Sequence, residues 1–183
     1  MPETPDARPR AAFDPARLKA RVFPVVRQEL TTHFTRLYAL SLGLGSDPLD
    51  ERALRYVYEG VDPKSGGLQA MPTMAVVLGY PGFWAREPDT GIDWVRLLHA
   101  EQRLVLHRPL PTAGTVLGHS RVTRITDKGA DKGALLVSER EITAEDGTPY
   151  ASVQQVAMLR GNGGFAAGGL PSDEPLPALP ATP

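Results

Sequence analysis

At 183 residues and a formal net charge of −1, the chain has the length of one domain and enough residues to bury a sizeable core. Near-neutrality excludes the global basic field that draws a protein to nucleic acid or anionic lipid, so neither is expected as a partner. The absence of cysteine excludes disulfides, thiolate catalysis and cysteine-ligated zinc. No run approaches the roughly 18 apolar residues of a membrane span, the polar N-terminus is unlike a secretory signal, and a cytoplasmic protein is the expectation.

Taken in order, residues 1–19 read as a flexible arm, being charged and proline-bearing at their start. Residues 22–30 form a first strand candidate. Thr31 or Thr32 then caps a helix with Phe34, Leu37, Tyr38, Leu40 and Leu42 on its apolar side, ending at Gly43. Residues 51–58 read as a short helix turn or a strand, and residues 60–67 as a loop.

The stretch from Gly67 to Tyr80 organises the rest. Pro72 suits a first helical position, Thr73 is a local cap, and Gly79 with Pro81-Gly82 stops the helix after barely two turns. Met74-Ala75-Val76-Val77-Leu78 has no polar face, so the helix must be wrapped by other elements.

From Ile92 onward the period is that of strands: residues 94–108, 114–125, 134–143 and 151–160, joined by turns such as Asp127-Lys128-Gly129 and Glu145-Asp146-Gly147. Four consecutive strands read as an antiparallel meander across the strand-helix unit, hence an α+β fold. Residues 20–165 make the domain, and the glycine- and proline-rich residues 166–183 read as a linker or tail.

Several stretches in order resemble the first half of the enoyl-CoA hydratase 2 group of the MaoC-like dehydratases. They are Leu37 to Gly45, Tyr56-Val57-Tyr58-Glu59, Leu68-Gln69-Ala70-Met71-Pro72-Thr73, Leu98-His99-Ala100-Glu101-Gln102, His107-Arg108-Pro109-Leu110-Pro111, Asp127-Lys128-Gly129 and Gly161-Asn162-Gly163-Gly164-Phe165. Ala100 departs from the glycine more usual there. The resemblance implies the hot-dog fold, a curled antiparallel sheet around a central helix.

It also implies a tandem arrangement in which a second, catalytic hot dog carries an Asp-x-Asn-Pro-Leu-His acid-base segment. This sequence has no such segment; Asp47-Pro48-Leu49-Asp50 lacks the histidine and the spacing. By resemblance the chain is then the acyl-binding half of an (R)-specific 2-enoyl-CoA hydratase, working on fatty or sterol side-chain acyl-CoA and ending within an inter-domain linker. A CoA thioester is its substrate, no cofactor or metal is implied, and a catalytic hot-dog domain or subunit is its partner.

Hydration needs a carboxylate and an imidazole to share the proton transfers of water. Among four histidines only His99, two residues from Glu101, offers both; on a strand the two share a face. A catalytic pair and a satisfied polar pair both fit, and the family places this glutamate in a supporting role beside the active site. Gln69, Met71, Thr73 and Met74 would line the space left by so short a helix, although the methionines fit ordinary core filling equally well. Two other function classes stay open: a non-catalytic acyl-CoA-binding or scaffold dimer, and a thioesterase, which the acid-free segment from Met71 to Leu78 disfavours.

Overall fold

The computed structural model describes residues 11–60 and 67–177; expectations for residues 1–10, 61–66 and 178–183 lie outside the described residues. Five antiparallel strands make one sheet in the order β1-β3-β4-β5-β2: β1 (Val26–Leu30), β2 (Leu97–Leu106), β3 (Gly114–Asp127), β4 (Ala134–Thr143) and β5 (Pro149–Leu159). Three short helices precede β2: α1 (Pro15–Lys19), α2 (Thr32–Ser41) and α3 (Glu51–Leu54). The expected central helix is present as a six-residue 3₁₀ segment, Pro72–Val77.

That segment is wrapped by the sheet. Met74, Ala75 and Leu78 are fully buried against Leu30, Val116, Ile142, Ala151 and Val153. Each large side chain so buried contributes about 1.5–3 kcal/mol. Pro72 occupies the first turn, as the sequence indicates, but Thr73 is no cap: Met71 holds the cap position without a side-chain bond. The stop at Gly79 has two causes. Its φ of 58° lies in the left-handed region, and a Cβ there would stand 2.6 Å from the Gly118 Cα, so backbone meets backbone where the segment leaves β3. Gln28 on β1 fixes the exit by accepting a 2.7 Å bond from the Gly79 N–H.

The four-strand meander needs correction. β3, β4 and β5 are consecutive neighbours, but β2 pairs with β5 at the far edge, not with β3. Pro109 and Pro111 deny a hairpin its ladder bonds. Leu110 between them is buried in the core beside Met74, so the link from β2 to β3 crosses the sheet end.

α2 begins as expected, with the Thr31 hydroxyl accepting from the Phe34 N–H at 3.1 Å. Its inward face is partly the expected one: Phe34 and Tyr38 pack against the core and Thr35 and Ala39 are buried with them, whereas Leu37, Leu40 and Leu42 are more than half exposed. The Thr35 hydroxyl donates to the Thr112 carbonyl at 2.8 Å, which turns the small residues toward the sheet. Within residues 51–58 the helical alternative holds, Asp50 capping α3.

Both ends of the described chain are seated rather than free. Asp14 caps α1, Leu18 enters the core and the Phe13 ring meets Phe165 at 5.5 Å, so residues 11–19 do not behave as the expected arm. β1 covers only Gly114–Gly118 of β3. Further along that edge the tail continues the pairing: Asp173 N–H donates to Ile125 O (2.9 Å) and Ile125 N–H to the Asp173 carboxylate (2.8 Å). Asp127, at the end of β3, accepts from the N–H groups of Gly129, Gly164 and Ala166 at 2.7–2.8 Å, tying the glycine-rich turn to the sheet.

Gly118→Ala should lower stability by about 2–3 kcal/mol, because its Cβ would collide with the Gly79 carbonyl and neither backbone can yield. A calorimetric melting temperature within a degree of wild type would contradict that packing.

Burial pushes the Asp127 carboxyl up, but the four N–H donors of Ala166, Gly164, Gly129 and Lys128 outweigh it and hold it below its ordinary 3.8. At Asp173 burial again raises, and the Lys19 ammonium with the Ile125 N–H more than compensates. The stability from both is therefore complete above about pH 4 and is lost as pH falls through their lowered values. Asp127→Asn should flatten that acid limb of the melting curve, measured between pH 2 and 5.

Candidate functional site

The beginning of the 3₁₀ segment faces an open cleft of about 590 Å³. Gln69 and Pro72 form one wall, Tyr56 stands beside them, and the end of β2 with its following turn supplies Leu106, His107 and Arg108. Gln69 is held there by its own N–H, which donates to the Arg55 carbonyl at 2.9 Å. Opposite, His107 N–H donates to Tyr150 O (2.9 Å) and its Nε2 meets the Ser152 hydroxyl at 2.8 Å, so the imidazole is fixed. The cleft thus combines an apolar floor (Leu68, Ala70, Leu110) with a cationic rim at Arg108.

The other expected lining residues divide. Met71 is half-buried at the start of the segment. Thr73 is exposed and accepts a 3.2 Å bond from the Tyr38 hydroxyl, fastening α2 to the segment. Met74 is fully buried in the core, where it fills space instead of lining any. The ordinary core reading is the one its packing matches.

The structure does not bring His99 and Glu101 together. A bulge interrupts β2 between them: His99 pairs with Ala157 and Glu101 with Val156, leaving Ala100 as the extra residue. Ala157 and Val156 are neighbours on β5 and face opposite sides of the sheet, so their partners do too. The expectation that i and i+2 share a face fails here for that reason. His99 Nδ1 instead meets Gln155 Nε2 at 3.1 Å, and the Glu101 carboxylate accepts from Arg103 at 2.8 and 3.1 Å. Asp47 and Asp50 are likewise occupied locally, capping the Leu49 N–H and the first turn of α3. Among the described residues no cluster of three His, Asp or Glu could hold a metal ion, and no helix is long and apolar enough to cross a membrane.

β2 is the open edge of the sheet. Ten residues long, it contains neither proline nor lysine, and Leu98, Val105 and Leu106 are exposed along it. Natural sheets usually blunt such an edge or cover it.

The family model described as "MFE-2 hydratase 2 N-terminal domain" matches residues 29–161. The chain belongs to that family. It is 34% identical over 159 residues to "Probable enoyl-CoA hydratase 2" of Dictyostelium discoideum, covering 82% of this chain and 49% of the relative. It is also 34% identical over 165 residues to "3-hydroxyacyl-thioester dehydratase Y" of Mycobacterium tuberculosis, covering 90% of this chain and 53% of the relative. Among solved structures, a MaoC-like dehydratase from Phytophthora capsici superposes with a TM-score of 0.69 at 25% identity, over 92% of this chain and 55% of that one. The fold is accordingly the hot dog, and the chain spans about half the length of the curated relatives it matches.

Sequence reasoning named one wall of the cleft, through Gln69, and missed the other. His107-Arg108-Pro109 carried a signal: a basic pair at a strand end closed by proline. Tyr56, just past the end of α3, stands in one of the stretches that carry the resemblance, but nothing in its local pattern pointed to the cleft.

Because the bulge separates them, His99→Ala and Glu101→Gln should have additive effects on stability within about 0.5 kcal/mol in a double-mutant cycle. A coupling above 1 kcal/mol would mean the two side chains interact after all.

Proposed function

We propose that this chain is the acyl-binding half of a 2-enoyl-CoA hydratase or 3-hydroxyacyl-thioester dehydratase, completed by a second, catalytic hot dog in the same polypeptide or another subunit. One observation carries the reading: a hot-dog domain of the hydratase 2 family presents an open cleft and an unpaired β2 edge, while among the described residues the histidine side chains bond to Ser152, Thr143 and Gln155 and none is paired with a carboxylate. Hydration needs both a base for water and an acid for the α-carbon. His99 and Glu101 lie on opposite faces, and His107 has a serine beside it.

The cleft suits a CoA thioester. Its apolar floor takes the acyl chain, the amide of Gln69 is placed for the thioester end, and Arg108 offers a cation to the phosphates. The β2 edge suits the partner. A second sheet adding there would satisfy the unpaired backbone groups and cover Leu98, Val105 and Leu106. Glu101, held by Arg103 on that edge, is a supporting residue at the junction.

A self-dimer on the same edge is the second reading, favoured by the length of β2 itself. In it acyl-CoA is bound and not transformed. A thioesterase is disfavoured because the Pro72–Val77 segment carries no acid.

Purified alone, the chain should hydrate crotonyl-CoA and longer 2-enoyl-CoAs no faster than buffer. Mixing with a hot dog bearing the Asp-x-Asn-Pro-Leu-His segment should give turnover above that of the added domain alone. Turnover by the isolated chain that disappears in Glu101→Gln would overturn the division of labour. Sedimentation of the isolated chain separates the two readings, a stable dimer favouring the scaffold.

A further inference from the structure

The inner face of the sheet carries a buried charge that the proposed function does not use. Arg140 points from β4 under the C-terminal end of the Pro72–Val77 segment and is only 7% exposed. Its Nη2 donates to the Val76 carbonyl at 2.6 Å, and its guanidinium lies 5.4 Å from the Tyr80 ring centroid. Neither contact supplies a negative charge. Among the described residues Arg140 forms no ion pair, and burial without one costs several kcal/mol.

Two polar atoms at this place lack partners. The Arg140 Nε–H has no acceptor and the Ser120 hydroxyl has no bond, though both are shut off from solvent. Ser120 is the cross-strand partner of Arg140, so the two side chains rise from the same face of the sheet side by side. Both line one cavity of about 20 Å³, roofed by Tyr80, Pro81 and Trp84. The one carboxylate among the lining residues, Glu139, is on the adjacent position of β4. It is already held by Arg121 at 2.8 Å and Gln154 at 3.0 Å.

A guanidinium N–H and a hydroxyl converging on a small space, with an uncompensated positive charge behind them, form an anion cradle. A volume of that size holds one atom-sized guest. We propose that the Arg140–Ser120 cavity binds one halide-sized monovalent anion. The ion accepts from Nε–H and from the Ser120 hydroxyl and neutralises the buried guanidinium. Because Arg140 also holds the Val76 carbonyl, anion occupancy is linked to the seating of the short segment that Gln69 precedes. This inference does not depend on the hydratase reading.

The test uses the full chain in two measurements. Crystals soaked in sodium bromide should give an anomalous peak within hydrogen-bond reach of Arg140 Nε and Ser120 Oγ. In solution, wild type and Ser120→Ala should melt together in sodium gluconate, an anion too large for the cavity. In sodium chloride at equal ionic strength, wild type should melt higher by roughly 2–4 °C, the shift saturating with concentration. The Ser120 hydroxyl makes no bond to another protein group, so its loss should not cost folding in gluconate, whereas Arg140→Met would also sacrifice the Val76 contact. Water density without an anomalous peak, or an equal chloride response in both proteins, would overturn the assignment.

Discussion

The contact between Gly79 and Gly118 sets the terms for this fold. A segment as apolar as Met74 to Leu78 is stable only when covered on all sides, and the sheet can curl onto it only if backbone approaches backbone somewhere along β3. Two glycines meet at that point, and no side chain would fit at either. From this closeness follow the brevity of the 3₁₀ segment and the turn that leaves it. The buried Arg140 beneath the Val76 carbonyl in its last turn follows too, since the end of a helix leaves C=O groups that need donors.

A segment of six residues cannot cover a sheet whose longest strand has fourteen. The remaining inner surface is divided between two apolar clusters. One surrounds Met74 and Leu78; the other gathers Leu18, Ile92, Ile125, Leu159 and Phe165 and is roofed by α1 and the loops before β2. Between them, on paired positions of neighbouring strands, lie Ser120 and Arg140, then Ser138 and Gln155. The polar row thus marks the boundary between the part of the core covered by the central segment and the part covered by the chain's N-terminal residues. Leu18, 2% exposed, is the buried residue α1 contributes to closing the second cluster.

Much of this architecture was legible in the residues. Proline at the head of an apolar run, glycine at its foot and strand periods after Ile92 mark the wrapped segment and the sheet, because each reports a local constraint. The order of strands was not legible. Pairing β2 with β5 depends on Leu110 being buried between two prolines, a tertiary fact that no periodicity announces. The bulge at Ala100 was hidden for the same reason. Its sequence, Leu98-His99-Ala100-Glu101, reads as clean alternation, and only the register against β5 reveals the extra residue. Met74 failed as a lining residue because a methionine in an apolar run looks the same whether it fills a core or faces a cavity.

The bulge also explains how one edge strand serves two surfaces. Before it, His99 turns to the inner side and reaches Gln155; after it, Glu101 turns outward and takes Arg103. A strand with strict alternation would have put both on one face. Here each side of the edge carries its own fixed polar group. Imidazole and carboxylate are thereby kept apart in the very strand where the sheet is open. An incoming strand would meet them singly, as two positioned contacts and not as a proton-transfer pair.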